Sequence, residues 1–105
     1  MRKIEQQMIT AIESDQRWQS GNTTVIPGWE NTSDVYLHGN KIATIGDTWM
    51  QLWDGGYQSV TTKSRLNALL SAFGIDGEKV FQKNHQWYVM QEGGPIPFFS
   101  GMRLA

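Results

Sequence analysis

DVYLHGNKIATIGDTWMQLW (34–53) alternates apolar and polar residues, and two pairs of turn-forming residues interrupt it. A period of two is typical of β-strands. The pairs Gly39-Asn40 and Gly46-Asp47 are residues that readily adopt the positive backbone φ angles of tight hairpins. The stretch therefore predicts three antiparallel strands that form a meander.

The turn pairs also give an expected register for the meander. If each pair is a two-residue turn, His38 lies opposite Lys41 and Ile45 lies opposite Thr48. One face of the sheet then carries a row of side chains that runs through Tyr36, Ala43 and Met50.

Helical spacing appears on both sides of the meander. Near the N-terminus, polar residues separate four apolar ones, which predicts an amphipathic helix through Ile4, Met8, Ala11 and Ile12. A second helix is predicted after the meander, with Thr61 or Thr62 as its N-cap and Gly74 just past its end. Its apolar stripe is Leu66, Leu69, Leu70 and Phe73.

Shorter segments complete the expected fold. We predict a strand over Thr23–Ile26, a hairpin of Lys79–Lys83 and Gln86–Met90 that turns at Asn84-His85, and a last short strand over Ile96–Phe99. The fold class is therefore α+β: an N-terminal helix, an antiparallel β meander, one central amphipathic helix, a C-terminal β-hairpin and a short strand. We expect one domain over residues 1–105, because nothing in the sequence resembles a linker.

Composition limits the possible functions. The 105 residues are 39% apolar and 18% charged, have a net charge of −1 and include no cysteine. A protein without cysteine has no thiol nucleophile and no zinc–thiolate site. The near-neutral charge argues against a nucleic-acid partner held by phosphate contacts alone. No apolar run is long enough to cross a membrane, and the N-terminus lacks the apolar core of a signal peptide, so we expect a cytoplasmic protein without a membrane partner.

Residues with catalytic chemistry are scattered. His38 and His85 each fall at a predicted turn, and no arrangement of a nucleophile with a base or of three metal ligands is visible at a recognised spacing. We therefore expect a binding protein rather than an enzyme, with no catalytic residue, no metal and no cofactor.

The segment YQSVTTKSRLN (57–67) is the candidate ligand site. It places hydroxyls and two cations around a helix start, where free N–H groups and the helix dipole favour an anion such as phosphate. From the residues alone, a threonine-capped helix with a solvated basic face is the favoured interpretation, because caps of this type are common. On the ligand-site interpretation, Tyr57 stacks on a base and Asn67 reads a purine or ribose edge. The candidate ligand-binding residues are Tyr57, Thr62, Lys63, Arg65 and Asn67.

Tryptophans offer a second interpretation. Trp49 and Trp53 lie on one face of a predicted strand, and Trp87 lies on another strand. If exposed, such rings would form an aromatic patch for a protein partner, such as a host defence or transcription protein. Burial in the core or in a homo-oligomer interface is the alternative, and five tryptophans in a short chain favour burial for most of them.

Several segments together resemble a family of small bacteriophage proteins: SGNTTV (20–25), VYLHGNKIA (35–43), GYQSVTTKSRLNALL (56–70), VFQKNHQWYV (80–89) and PFFSGM (97–102). The chain is similar to the anti-Thoeris sponges, phage proteins that bind cyclic ADP-ribose isomers made by bacterial TIR-domain enzymes. The resemblance implies a non-catalytic, homo-oligomeric trap for a small nucleotide with two phosphates. It also implies a pocket with an aromatic residue and, ten positions on, an asparagine, the spacing of Tyr57 and Asn67. Candidates for the phosphate-binding cations are Lys63, Arg65, Lys83 and Arg103.

Overall fold

The computed structural model describes residues 1–104, which form two helices and two antiparallel sheets. The predicted α+β class is confirmed. The larger sheet has six strands in the order β1-β2-β3-β4-β5-β9, and the smaller sheet has the order β6-β7-β8. In chain order the elements are α1 (Lys3–Glu13), β1 (Trp18–Ser20), β2 (Thr23–Pro27), β3 (Ser33–Leu37), β4 (Asn40–Ile45), β5 (Met50–Leu52), α2 (Val60–Phe73), β6 (Lys79–Lys83), β7 (Gln86–Gln91), β8 (Gly94–Pro97) and β9 (Met102–Leu104).

The meander forms as β3, β4 and β5, but the predicted turn between β3 and β4 is wrong by one residue. His38 and Gly39 are the turn residues, with φ angles of 52° and 78°, and Leu37 pairs with Asn40. Both central residues of this turn have positive φ, as a type I′ turn requires. A bulge at Val35/Tyr36 then changes the register.

The observed register explains why the sheet prefers this turn. The row across the sheet is Val35, Ala43, Leu52 and Met102. Each of these side chains is at most 2% exposed. The predicted row would have put the half-buried Tyr36 into this position, on the apolar side of the sheet.

The loop between β4 and β5 is also longer than predicted. Ile45 pairs with Met50 rather than with Thr48. The N–H of Gly46 donates to the carbonyl of Trp49 at 2.8 Å, which closes a four-residue loop. Trp49 therefore lies in the loop and not within a strand.

The other differences from the predicted fold are in the short strands β1, β8 and β9. β1 and β9 were not predicted, and β9 returns from the smaller sheet to pair with β5 at the edge of the larger one. The last predicted strand lies two residues earlier than expected, over Gly94–Pro97. The predicted β6–β7 hairpin is confirmed, with Asn84 and His85 in the turn at φ angles of 53° and 64°.

The central helix α2 contacts both sheets, through β4 and β6, and also packs on α1. Its predicted stripe is confirmed, since Leu66, Leu69 and Leu70 are at most 1% exposed. In residues 1–104 neither helix is long and apolar enough to cross a membrane.

The predicted ends of α2 need correction. The N-cap is Ser59 rather than Thr61 or Thr62, because its hydroxyl accepts the N–H of Thr62. Gly74 ends the helix with a φ of −85°, so it is not a left-handed cap. A side chain at Gly74 would approach the Leu70 carbonyl to 2.7 Å, so close packing rather than a positive φ requires glycine here.

Candidate functional site

The first turn of α2 is built by its own hydroxyls. Ser59 Oγ accepts the N–H of Thr62 at 3.0 Å, and the two hydroxyls lie 2.9 Å apart. The Thr62 hydroxyl also lies 3.3 Å from the carbonyl of Tyr57. This turn contains no acidic residue. The N–H groups of the first helical residues, Val60 and Thr61, have no intrahelical acceptor and retain the positive end of the helix dipole.

A cleft of about 290 Å³ opens at this helix start. We call it the α2 cleft. Its walls come from the β3–β4 turn, from the loop between β5 and α2, and from the first turn of α2. The lining residues are Leu37, His38, Asn40, Ile42, Asp54, Gly55, Tyr57, Ser59, Thr61 and Thr62.

Tyr57 lies at the mouth of the α2 cleft, and its side chain is 76% exposed. The preceding loop is held by Asp54, whose carboxylate accepts the N–H of Gly56 at 2.8 Å. The N–H of Tyr57 in turn bonds to the Asp54 carbonyl at 3.3 Å. Asp54 therefore shapes the loop, and it is also the acidic residue that lines the cleft.

Two of the five predicted ligand residues, Tyr57 and Thr62, line this cleft. Thr62 is only 2% exposed, and its hydroxyl belongs to the helix cap. Lys63 follows on the next position of α2 and is half-buried. The predicted site thus retains an accessible ring and a nearby cation at the helix start.

Arg65 lies away from the cleft, in a buried polar cluster that we define as Glu5, Asn22, Thr23, Ser64 and Arg65. Arg65 is 4% exposed and forms a salt bridge with Glu5 at 2.8 Å. Its guanidinium also donates to Thr23 Oγ1 at 3.0 Å and to Asn22 Oδ1 at 3.3 Å. The polar cluster joins α1, α2 and the turn before β2, so a ligand contact by Arg65 would require breaking these bonds.

Glu5 is one of the polar residues that separate the apolar ones in α1, and such residues are expected to face solvent. The structure buries it to 3% exposure. Burial raises the pKa of its carboxyl, but hydrogen bonds from Ser64, from Arg65 and from the Arg2 backbone outweigh that effect and hold the pKa below its usual range. The shortest of these bonds is from Ser64 Oγ at 2.6 Å. Glu5 is thus a buried carboxylate in the folded protein.

Asn67 pairs with the edge of the smaller sheet. Its side-chain amide donates to the Val80 carbonyl at 3.0 Å and accepts the Val80 N–H at 2.6 Å. This pair of bonds imitates a neighbouring strand and covers part of the β6 edge. Asn67 does not line the α2 cleft, so the structure does not bring it into one pocket with Tyr57.

Charges separate along the molecule. The first turns of α1 and α2 lie side by side, because Glu5 bonds to Ser64 and Arg65, and the β1–β2 and β3–β4 turns meet there through Asn22 and His38. We call this region the helix-start end; it carries Arg2, Lys3, Lys41 and Lys63, and Asp54 is a half-buried carboxylate there. The opposite end, where α2 finishes beside the β4–β5 loop, carries Glu30, Asp47, Asp76 and Glu78, together with the cations Lys79 and Arg103.

The remaining predicted phosphate contacts lie elsewhere. Arg103 is on β9, and its guanidinium lies 4.3 Å from the centre of the Trp49 ring, far from α2's first turn. Lys83 is exposed at the end of β6, beside the β6–β7 turn. Of the four candidate cations, Lys63 is the nearest in sequence to the α2 cleft, although it does not line it.

The tryptophans proposed for an aromatic patch are mostly covered. Trp87 is 3% exposed and packs edge-on against Phe98. Trp49 and Trp53 are half-buried, and Lys41 lies 4.9 Å from the Trp53 ring centre. Burial of Trp87 removes it from any surface patch.

A different tryptophan is the exposed one. Trp29 is 90% exposed in the β2–β3 loop. Its loop is closed by a bond from the Gly28 N–H to the Thr32 carbonyl at 2.8 Å, and two non-glycine residues after it, Glu30 and Asn31, have φ angles of 56° and 61°. The sequence favoured burial for most of the tryptophans, and no sequence signal indicated that this one would be outside the core.

The two histidines lie apart from each other, and His38 shares the α2 cleft with Asp54. His38 lines the α2 cleft and His85 lies in the β6–β7 turn. Within residues 1–104, no group of three or more His, Asp or Glu side chains is arranged to hold a metal ion.

The fold and the cleft define a small α+β protein with a polar cleft at a helix start. The chain belongs to the Kyanoviridae Gp96 protein family, whose family model matches residues 1–105. It is therefore a bacteriophage protein, as the resemblance implied. No curated protein and no solved structure matches it significantly. Membership of the sponge family stays a prediction.

Proposed function

We propose that this phage protein is an anti-defence protein that binds and sequesters a cyclic ADP-ribose-type nucleotide, without catalysis, in the cytoplasm of the infected cell. The choice of nucleotide comes from the sequence resemblance. The observation that carries the proposed site is the position of the α2 cleft, at a helix start whose first turn has no acidic residue, on the end of the molecule where cations outnumber carboxylates. Asp54 also lines the cleft, and its carboxylate is bonded to the N–H of Gly56.

Phosphate recognition is assigned to the first turn of α2. Ser59 takes the N–H of Thr62, which leaves the N–H groups of Val60 and Thr61 to face an anion. Lys63 adds a flexible positive charge one position beyond the capped residue. A diphosphate at this place gains from the amides, from the helix dipole and from the cation together.

The base or ribose is assigned to Tyr57. An exposed ring at the mouth of a cleft offers a stacking surface, and stacking on an aromatic side chain contributes about 1–3 kcal/mol per base. Asn67, the predicted second contact, would have to release Val80 to take part. The proposal therefore rests on Tyr57 and the helix start rather than on the tyrosine–asparagine pair.

Cleft size favours an oligomer. At about 290 Å³ the cleft lies at the lower limit of the roughly 300–1,000 Å³ typical of small-molecule sites. A ligand with two phosphates would protrude from one copy. We propose that a second copy of the chain covers the protruding part, which gives the burial that tight sequestration needs.

The proposal is tested by native mass spectrometry and thermal melting of the whole protein with a panel of cyclic ADP-ribose isomers, cyclic dinucleotides and cyclic trinucleotides. Sequestration predicts a mass shift that fits one intact ligand and a higher melting temperature. Ligand at about 100-fold over its Kd adds roughly 2.7 kcal/mol of stability. No shift with any member of the panel overturns the proposal.

Two exposed aromatic residues at opposite ends provide a matched pair of variants. At the same ligand concentration, Tyr57→Ala should reduce the ligand-induced stabilisation by about half, whereas Trp29→Ala should preserve it. Equal binding by both variants would remove Tyr57 from the site.

The exposed Trp29 favours a second candidate function, inhibition of a host defence or transcription protein by direct binding. Tryptophan is enriched among the residues that dominate protein interfaces. Left-handed backbone at non-glycine residues such as Glu30 and Asn31 is unfavourable and is often found at binding loops. Affinity purification from infected cells distinguishes the two functions. A defined host protein retained by Tyr57→Ala and lost by Trp29→Ala supports inhibition.

A further inference from the structure

The outer edge of β1 is the feature that neither proposed function uses. β1 pairs with β2 on one side, with Gln19 opposite Thr24 and Ser20 opposite Thr23 across a two-residue turn. In such a hairpin the residues that flank the turn exchange both hydrogen bonds, and the next pair does not. The backbone N–H and C=O of Gln19 therefore point away from β2, toward the sheet edge.

Both outer edges of the smaller sheet are protected, which distinguishes them from the β1 edge. In β8, Pro95 and Pro97 have no N–H to offer to another strand. On β6, the side chain of Asn67 occupies the N–H and C=O of Val80. β1 contains no proline, and no described side chain bonds to the Gln19 backbone.

A groove of about 660 Å³ runs beside this edge, between β1 and α1. We call it the β1 groove. Its helical wall is a stripe of exposed polar residues on α1 at the spacing of one helix face. These are Lys3, Gln6, Gln7, Thr10 and Ser14.

The positive charge of the β1 groove indicates what kind of partner it can bind. Lys3 and Arg17 are its charged lining residues, and no carboxylate lines it. Glutamine amides and hydroxyls on the helical wall offer hydrogen bonds to polar side chains. Complementary charge therefore calls for an acidic partner, while a second copy would bring one cationic groove against another.

We infer that the β1 groove is a docking site for an extended acidic polypeptide segment, which adds to the larger sheet as a seventh strand beside β1. Main-chain bonds to Gln19 would supply sequence-independent affinity, and alternate side chains of the segment would project over the polar wall of α1. Acidic side chains at those alternate positions would lie near Lys3 and Arg17. This inference is independent of the α2 cleft.

The test begins with display of random decapeptides on the intact protein. Strand addition predicts enrichment of peptides with Asp or Glu at alternating positions. In an ¹H–¹⁵N spectrum these peptides should shift the amide of Gln19. No enrichment, or enrichment of basic peptides, overturns the inference.

Backbone pairing is tested on the best enriched peptide, so that the protein remains unchanged. N-methylation of alternate residues removes the donors on one edge of the peptide at a time. Methylation on the edge that faces β1 should weaken binding by roughly tenfold or more, since it deletes main-chain hydrogen bonds, and methylation on the other edge should not. Equal effects from the two patterns would contradict strand pairing.

Charge reversal tests the groove itself. Arg17→Glu should weaken binding of the acidic peptide several-fold at low salt, and added salt should reduce the difference. Lys79→Glu is the matched control, because Lys79 is exposed and does not line the groove. Equal loss in both variants would indicate attraction to the whole protein. A dimer that forms through β1 and excludes the peptide would also overturn the inference.

Discussion

The buried polar cluster and the α2 cleft both use residues from the N-terminal part of α2. Polar groups are buried and paired in the polar cluster, whereas they remain accessible in the α2 cleft. In the polar cluster, Arg65 and Glu5 are almost fully buried and each has several partners. In the α2 cleft, Tyr57 faces solvent and the first amides of the helix have no helical acceptor.

The comparison indicates that neighbouring basic residues at one helix start can have different roles. One can stabilise the fold while the other remains available for binding. Lys63 and Arg65 are two positions apart, so they point in different directions around the helix. One is half-buried beside the cleft and the other is inside the protein. Substitutions in the polar cluster should therefore reduce stability, and substitutions in the cleft should reduce ligand binding alone.

Arg65→Met should have the largest effect on stability. It leaves the carboxylate of Glu5 buried without its salt-bridge partner, which typically destabilises a protein by about 3–5 kcal/mol. Urea denaturation measures the change. Lys63→Met is the control and should alter the free energy of unfolding by less than about 0.5 kcal/mol. Equal changes in the two variants would contradict the division of roles along α2.

Asn67→Leu should have the next largest effect. The two side chains have similar shapes, but leucine has no amide and leaves both the N–H and the C=O of Val80 without the Asn67 partner. An unsatisfied buried group costs about 1–3 kcal/mol. Ser71→Ala, at an exposed position of the same helix, should be nearly neutral by the same denaturation measurement. A neutral Asn67→Leu would show that the β6 edge does not need this cover.

Acid should weaken the polar cluster. The pKa of Glu5 is lower in the folded protein than in the unfolded chain. Its carboxylate therefore stabilises the fold fully above the unfolded-state pKa, and this contribution is lost as the pH falls through the folded-state pKa. Urea denaturation across this range should show a smaller loss of stability for Glu5→Gln than for the original chain. Glu13→Gln, at the exposed end of α1, should retain the original dependence.

Tyr57→Ala should have the smallest effect on stability and the clearest effect on binding. Its ring is 76% exposed, so the free energy of unfolding should change by less than about 0.5 kcal/mol. Loss of one stacking contact should weaken nucleotide binding by roughly tenfold, measured by calorimetry. A large loss of stability would instead place the ring within the packing of the protein.

Local sequence patterns predicted the helices and strands better than they predicted the register and the pairing between them. The periodicity of Leu66, Leu69 and Leu70 identified the buried face of α2, because every turn of a helix repeats the signal. The turn at His38-Gly39 was missed by one residue, since histidine in a left-handed conformation is less common than asparagine. β9 is three residues long and pairs with a strand 50 positions earlier, a distance over which sequence spacing carries no information.

The candidate site was predictable only in part for the same reason. The capped helix start and the exposed Tyr57 follow from neighbouring residues. The partners of Arg65 and Asn67 do not: Glu5 is 60 positions away from Arg65, and Val80 belongs to a strand that folds back along α2. The local sequence around a basic or amide side chain does not show whether the folded protein provides a buried hydrogen-bond partner for it.

The most direct test of the proposed function is an ¹H–¹⁵N titration of the protein with a cyclic ADP-ribose isomer. We predict saturable shifts of the Val60 and Thr61 amides and of the neighbouring Tyr57, with the Arg65 side-chain signals unchanged. Shifts confined to other parts of the molecule, or no shifts at all, would contradict nucleotide binding at the start of α2.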